Sequence, residues 1–152
     1  MERKFCVFCG KKPSNKNKEH IVPKWLIELT GDKNRQILAG RDWSDGSLKE
    51  RVFSFSSFTL PACKLCNSEY GILEGETKPI ILNIINNKEV SHDDINKLLD
   101  WFDKVRIGLW FSTIVLNKNH NGIKPHFYIS DRIGKSDRAL LIYKNTENDK
   151  KG

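Results

Sequence analysis

The chain has 152 residues, 38% of them hydrophobic and 30% charged, the composition of a folded domain that buries a core without covalent help. No apolar run approaches the roughly 18 residues that cross a bilayer, and Met1-Glu2-Arg3-Lys4 lacks the apolar stretch of a secretory signal, so a cytoplasmic protein with reduced cysteines and no membrane partner is expected. Twenty-six Lys and Arg against nineteen Asp and Glu give a formal charge of +7, which suits a polyanionic partner such as nucleic acid and equally suits a solubilising surface.

In chain order, Cys6-Val7-Phe8-Cys9-Gly10 reads as a cysteine knuckle: two thiolates point at one centre while the glycine takes the positive φ of the turn. A polar arm, Pro13 to Lys18, leads into Glu19-His20-Ile21-Val22. Pro23 suits the first position of a short helix with an apolar face of Trp25, Leu26 and Leu29, which Gly31 stops. Gln36 to Ala39 and Val52 to Phe58 form a half-buried hairpin, with Asp42 to Gly46 as its turn.

After Pro61, a second knuckle, Cys63-Lys64-Leu65-Cys66, opens a helix through Asn67, Tyr70, Ile72, Leu73 and Glu74, which Pro79 is expected to break or kink. Ser91, with Asp94 three residues on, signals the cap of a long amphipathic helix bearing Ile95, Leu98, Leu99, Phe102, Val105 and Leu109. Trp101, Trp110 and Phe111 fall in that pattern as core. Asn117 to Pro125 reads as loop, His126 to Ile129 and Ala139 to Tyr143 as a terminal hairpin around Gly134, and the tail from Asn145 as frayed.

All four cysteines belong to the two Cys-x-x-Cys pairs, Cys6/Cys9 and Cys63/Cys66, and none is left over. Thiolates so spaced fit tetrahedral Zn²⁺, and four of them close the site against water, the mark of a structural ion. Disulfides are disfavoured in a reducing compartment, and a redox Cys-x-x-Cys needs no second copy.

A knuckle on a loop, a hairpin and a second knuckle at a helix start are the parts of a treble-clef or ββα-metal unit. Cys6 to Gly10, the run Lys18-Glu19-His20-Ile21-Val22-Pro23-Lys24-Trp25-Leu26, and Leu60 to Glu69 continuing to Leu73-Glu74 together resemble the HNH endonuclease family, in its variant with a Glu-His-x-x-Pro-x-Trp-Leu motif and zinc knuckles. The resemblance covers about residues 5 to 80.

It implies an α+β fold with a zinc-stabilised nuclease core at 1–88 and a helical and hairpin extension at 89–152. It further implies a DNA-cutting hydrolase in which Glu19 and Asn67 bind a catalytic divalent metal and His20 is the general base. Oxygen donors suit Mg²⁺ or Mn²⁺ rather than a second zinc. Phosphodiester hydrolysis needs a deprotonated water and a cation to absorb charge on the phosphate and leaving oxygen. Glu19 and His20 are neighbours, so on an extended chain they face opposite ways. One position departs from the family: its middle asparagine, which orients the histidine, falls near Phe58, leaving Ser56, Ser57 or Thr59 as substitutes.

Other readings stay open beside these. Asn67 can serve as a cap at its helix start. Glu74 is a third candidate ligand, a partner for Lys78, or solvated surface. Lys11, Lys12, Lys16, Lys18 and Lys24 are placed for phosphates or are loop charges, and Arg132, Lys135 and Arg138 form a second basic cluster with the same ambiguity. His92, His120 and His126 read as bystanders. The alternative function is a zinc-stabilised nucleic-acid-binding module without catalysis, and the apolar helix from Ser91 makes the C-terminal half a candidate surface for self-association or a larger assembly.

Overall fold

The computed structural model describes residues 5–13, 17–32, 34–42, 46–116, 122–135 and 138–143, with only the backbone described at 39–42 and 116. It is an α+β fold of two small antiparallel ladders and two long helices. The strands are β1 (Lys18–His20), β2 (Gln36–Asp42), β3 (Lys49–Ser54) and β4 (Thr59–Pro61); the helices are α1 (Lys24–Leu29), α2 (Lys64–Ile85) and α3 (His92–Leu116). Among the described residues, no helix is long and apolar enough to cross a membrane.

β1 pairs with β4, Lys18 facing Pro61, Glu19 facing Leu60 and His20 facing Thr59. The flanking bonds from Ile21 N to Phe58 O (3.0 Å) and from Ala62 N to Asn17 O (3.1 Å) fix which positions exchange backbone bonds. Counting in twos, Glu19 and Leu60 are a hydrogen-bonded pair, while His20/Thr59 and Lys18/Pro61 are not. Proline therefore sits where the ladder asks for no amide.

The hairpin between the knuckles is present as β2 and β3, which pair antiparallel with an irregularity between Leu38 and Arg41. The second strand, however, ends at Ser54 rather than running on to Phe58. Ser57 Oγ donates to Ser54 O (2.6 Å) and the Ser54 and Ser56 hydroxyls meet at 2.7 Å, so serine side chains fold Phe55–Ser57 into a 3-10 turn. Phe58 then enters the core at 4% exposure.

α2 does not break at Pro79; it runs on to Ile85. A proline removes one amide and crowds the carbonyl four residues back, and here both Pro79 and that residue, Gly75, are exposed, so the freed carbonyl is not confined to the core. The start of α3 is as expected. Asp94 N donates to Ser91 Oγ (3.1 Å) and Ser91 N to Asp94 Oδ2 (3.0 Å), a reciprocal capping box.

The terminal hairpin is not formed: residues 122–128 and 138–143 carry no strand, and Ile129–Asp131 is a 3-10 turn. That segment pairs instead with the first knuckle, Ile129 N donating to Val7 O (3.2 Å) and Ser130 N to Phe8 O (3.1 Å). The Ile129 amide is thereby used, and the Tyr128 amide donates to Asp131 Oδ2 (2.7 Å) rather than to a second strand. The main core joins Cys6, Val7, Phe8, Ile21, Phe58 and Leu60 to Ile107 and Phe111 of α3 and to Ile129. A second cluster of Ile80, Leu98 and Trp101 packs α2 on α3. Trp101 and Phe111 are buried as expected, and Trp110 is half-buried, stacked on Phe127 with ring centroids 4.9 Å apart.

Candidate metal centre and adjoining acidic site

Gly10 has φ +73°, and a Cβ there would run into the Tyr128 ring, so the first knuckle depends on a residue without a side chain. The second knuckle lies at the start of α2, with Cys63 as N-cap. The fold brings the four sulfurs Cys6, Cys9, Cys63 and Cys66 within 4.8 Å of one another. Cys9 Sγ and Cys63 Sγ are 4.0 Å apart, and Cys63 N donates to Cys6 Sγ at 3.2 Å. Bonds of about 2.3 Å in a tetrahedron place thiolates roughly 3.8 Å apart, so the cluster is consistent with a zinc site. All four cysteines are free rather than paired in disulfides.

The thiols' protonation agrees with a site built for a cation. Burial, then contact with Cys6, pushes Cys63 up to about 11; burial, then contact with Cys9 and Cys6, pushes Cys66 up to about 12. Burial also acts to raise Cys9, but hydrogen bonds from the Lys11 backbone and from the other cysteines outweigh it and bring this thiol below its ordinary value. Four thiolates do not coexist in this volume without a metal.

The β1–β4 ladder separates the two residues of the Glu-His pair. Glu19 is 6% exposed on the inner face, beside buried Leu60, while His20 lies on the opposite face with Lys18 and Thr59. Burial, then Lys24 and more weakly Lys18, pulls His20 below its ordinary value, against the opposing charge of Glu74. The imidazole is neutral at pH 7 and able to accept a proton.

Inside, Glu19 meets a residue that sequence reasoning missed. Lys104 of α3 is 1% exposed, its Nζ lies 2.5 Å from Glu19 Oε1, and the same ammonium pairs with Glu74 of α2. Burial holds the Glu19 carboxyl above its ordinary range, Lys104 works against that, and Glu74 adds to it. The approach is set one helical turn on: a Cβ at Gly108 would lie 2.7 Å from Ile21 Cδ1, so only glycine admits α3 this close. The four residues from Lys104 to Gly108 rise about 6 Å along α3 and the two from Glu19 to Ile21 about 6.6 Å along the extended chain, which matches Lys104 to Glu19 as Gly108 is matched to Ile21.

Asn67 is the next residue after the last cysteine. Its amide donates to Cys63 O (2.9 Å), within the first turn of α2, while its side-chain Oδ1 is buried and accepts no hydrogen bond among the described residues. Glu19 Oε1, by contrast, already has a cation against it, the Lys104 ammonium at 2.5 Å. A buried oxygen without a donor is rare, and the Asn67 amide oxygen is a hard donor of the kind that suits a divalent cation. Among the described residues, the cysteines are the one group of three or more His, Cys, Asp or Glu that could hold a metal together.

Glu74, with three readings open, meets Lys104; Lys78 instead lies 6.0 Å from the Trp25 ring. Lys11, Lys12, Lys18 and Lys24 are exposed, and Lys16 lies outside the described residues. The second basic cluster divides: Arg138 is tied to Asp100 (2.5 Å) and Asp103 (3.0 Å), Arg132 covers the Phe127 ring at 4.3 Å, and Lys135 is exposed. His92 and His126 are exposed and His120 is outside the described residues. No protein-family model, curated protein or solved structure matches the chain.

Proposed function

We propose that the chain is an HNH-type endonuclease that hydrolyses DNA phosphodiester bonds, with a structural zinc on Cys6, Cys9, Cys63 and Cys66 and a catalytic Mg²⁺ or Mn²⁺ held by Glu19 and Asn67. The observation that carries the reading is the buried, partnerless Oδ1 of Asn67 directly after the last cysteine, the position and chemistry that the resemblance assigns to a metal ligand. The β1–β4 ladder running through the second knuckle into α2 supports a ββα-metal unit.

When bound, the divalent ion supplies positive charge to the phosphate and leaving oxygen. The chain's own residues do the rest. His20, neutral at pH 7, takes the proton of the attacking water. Thr59 faces it in a non-hydrogen-bonded pair, where cross-strand side chains come closest, and holds the place of the missing asparagine. Ser56 and Ser57 are engaged in their own turn. Lys18 shares His20's face and, with exposed Lys11, Lys12 and Lys24, meets the DNA backbone.

The alternative, a zinc-stabilised nucleic-acid-binding module, draws on one observation: Glu19 already has a cation, Lys104. Purified protein and His20→Ala are incubated with supercoiled plasmid and Mg²⁺ or Mn²⁺. Nicking by the wild type and not by His20→Ala is the expected result. No nicking by either, with one zinc per chain and retained DNA binding, leaves the binding module.

A further inference from the structure

We infer that Lys104 is a placeholder for the divalent cation: its ammonium bridges Glu19 and Glu74 in the metal-free protein, and metal loading requires it to leave Glu19. The inference rests on the reading of Glu19 as a metal ligand and adds a residue to it. Lys104 arrives from α3, outside the stretch that carries the family resemblance, and lies on the helix's buried face between Trp101 and Phe111. A lysine there has no solvent to reach, and two acidic residues from different elements converge on its single ammonium. Glu19 comes from β1 and Glu74 from α2, two turns along the same helix from Asn67.

The charge arithmetic gives this arrangement a direction. Glu19, Lys104 and Glu74 sum to one negative charge; a divalent ion on Glu19 beside an unmoved ammonium would put two cations on one carboxylate in a dry site. Glu74 gives the ammonium a second anchor, so Lys104 can release Glu19 without becoming an unpaired buried charge. Lys104 is thus a positioning residue. It fixes Glu19 before the metal arrives, keeps the carboxylate from stray cations, and sets the metal concentration at which the site fills.

The test reads metal binding and the ammonium itself, apart from nuclease activity. Lysine ammonium groups are followed by ¹H–¹⁵N NMR in the zinc-loaded wild-type protein while Mg²⁺ is added, with the Asn67 amide as an independent reporter of occupancy. The expected result is a Lys104 resonance that shifts and saturates together with Asn67. In parallel, Mn²⁺ binding is measured by electron paramagnetic resonance for wild type and Lys104→Met, and loss of the competing ammonium is expected to tighten it about ten-fold, a coupling ordinary for contacting charges. A Lys104 resonance that stays put while Asn67 saturates overturns the placeholder and leaves the metal site standing. Failure of Mg²⁺ to move Asn67 and of Mn²⁺ to bind either protein overturns both. Lys104→Met also weakens folding, so the wild-type titration decides by itself.

Discussion

Lys104 Nζ lies 2.5 Å from Glu19 Oε1 with the lysine 1% and the glutamate side chain 8% exposed. A buried ion pair gives little net stability, because desolvation offsets attraction, yet removing one partner strands the other. In the absence of divalent cations, Lys104→Met is expected to lower unfolding free energy by about 3–5 kcal/mol. Lys104→Met combined with Glu19→Gln and Glu74→Gln is expected to recover most of that. Urea titrations of the zinc-loaded proteins measure both, and a single variant as stable as wild type would mean that the triad carries no buried charge.

Zinc binding should be steeply pH-dependent. Without metal, Cys63 and Cys66 sit at about 11 and about 12 and hold their protons at neutral pH, so zinc must displace them. Apparent affinity therefore falls as pH drops from 8 to 6, and binding releases protons. Competition with a chromophoric chelator at the two pH values checks the first, and calorimetry in buffers of different ionisation enthalpy the second. An affinity that ignores pH would count against thiolate ligation.

How much of this was legible follows from how local each signal was. The knuckles, the Gly10 turn and the Ser91 cap are each written within five residues, and each is found where its residues place it. The terminal hairpin is absent: alternation at His126 to Ile129 says that the segment is extended, not which partner takes its backbone bonds; the Ile129 amide goes to the first knuckle and the Tyr128 amide to Asp131. Lys104 was missed for a different reason. The apolar pattern of the helix takes in Ile95, Leu98, Leu99, Phe102, Val105 and Leu109, with Trp101, Trp110 and Phe111 as core, and a count of apolar residues passes over the lysine in the stripe that is buried: Leu98, Trp101, Lys104, Gly108 and Phe111. That stripe has the same three-and-four spacing with a lysine set in it. A lysine inside an apolar stripe announces an acidic partner, though it does not name which.

If the proposed function holds, His20 sets the pH dependence of activity. Its conjugate acid is disfavoured in the fold, first by burial and then by Lys24, so its folded value lies below the ordinary 6.5. The base form is present above that folded value, and the acid limb of kcat/KM is expected below pH 6.5. The stability linkage has the same sign: the unfolded chain binds the proton more readily, so folding weakens as pH falls through this window. Lys24→Met removes the second cause and should move the acid limb to higher pH, whatever it does to DNA affinity. A limb that does not move, or that lies above pH 7 in the wild type, would remove His20 from the role of base.

Gly108 is the steric counterpart of the Lys104–Glu19 contact. Ordinarily, alanine for glycine inside a helix stabilises by about 0.5–1 kcal/mol, and this is expected at Gly71 of α2, which is exposed with open space where a Cβ would stand. At Gly108 the sign reverses. The added carbon would lie 2.7 Å from both Ile21 Cδ1 and Cγ2, and Ile21 is fully buried, so α3 must back away from β1. Overpacking of this kind costs about 1–3 kcal/mol. Backing away also draws Lys104 off Glu19, so the lysine NMR signal should shift in Gly108→Ala and not in Gly71→Ala. Adding Ile21→Ala to Gly108→Ala removes the obstructing atoms, and the loss in the double variant should fall short of the sum of the two single losses. Strict additivity, or a Gly108→Ala protein as stable as Gly71→Ala, would show that α3 is not held against β1 at this point.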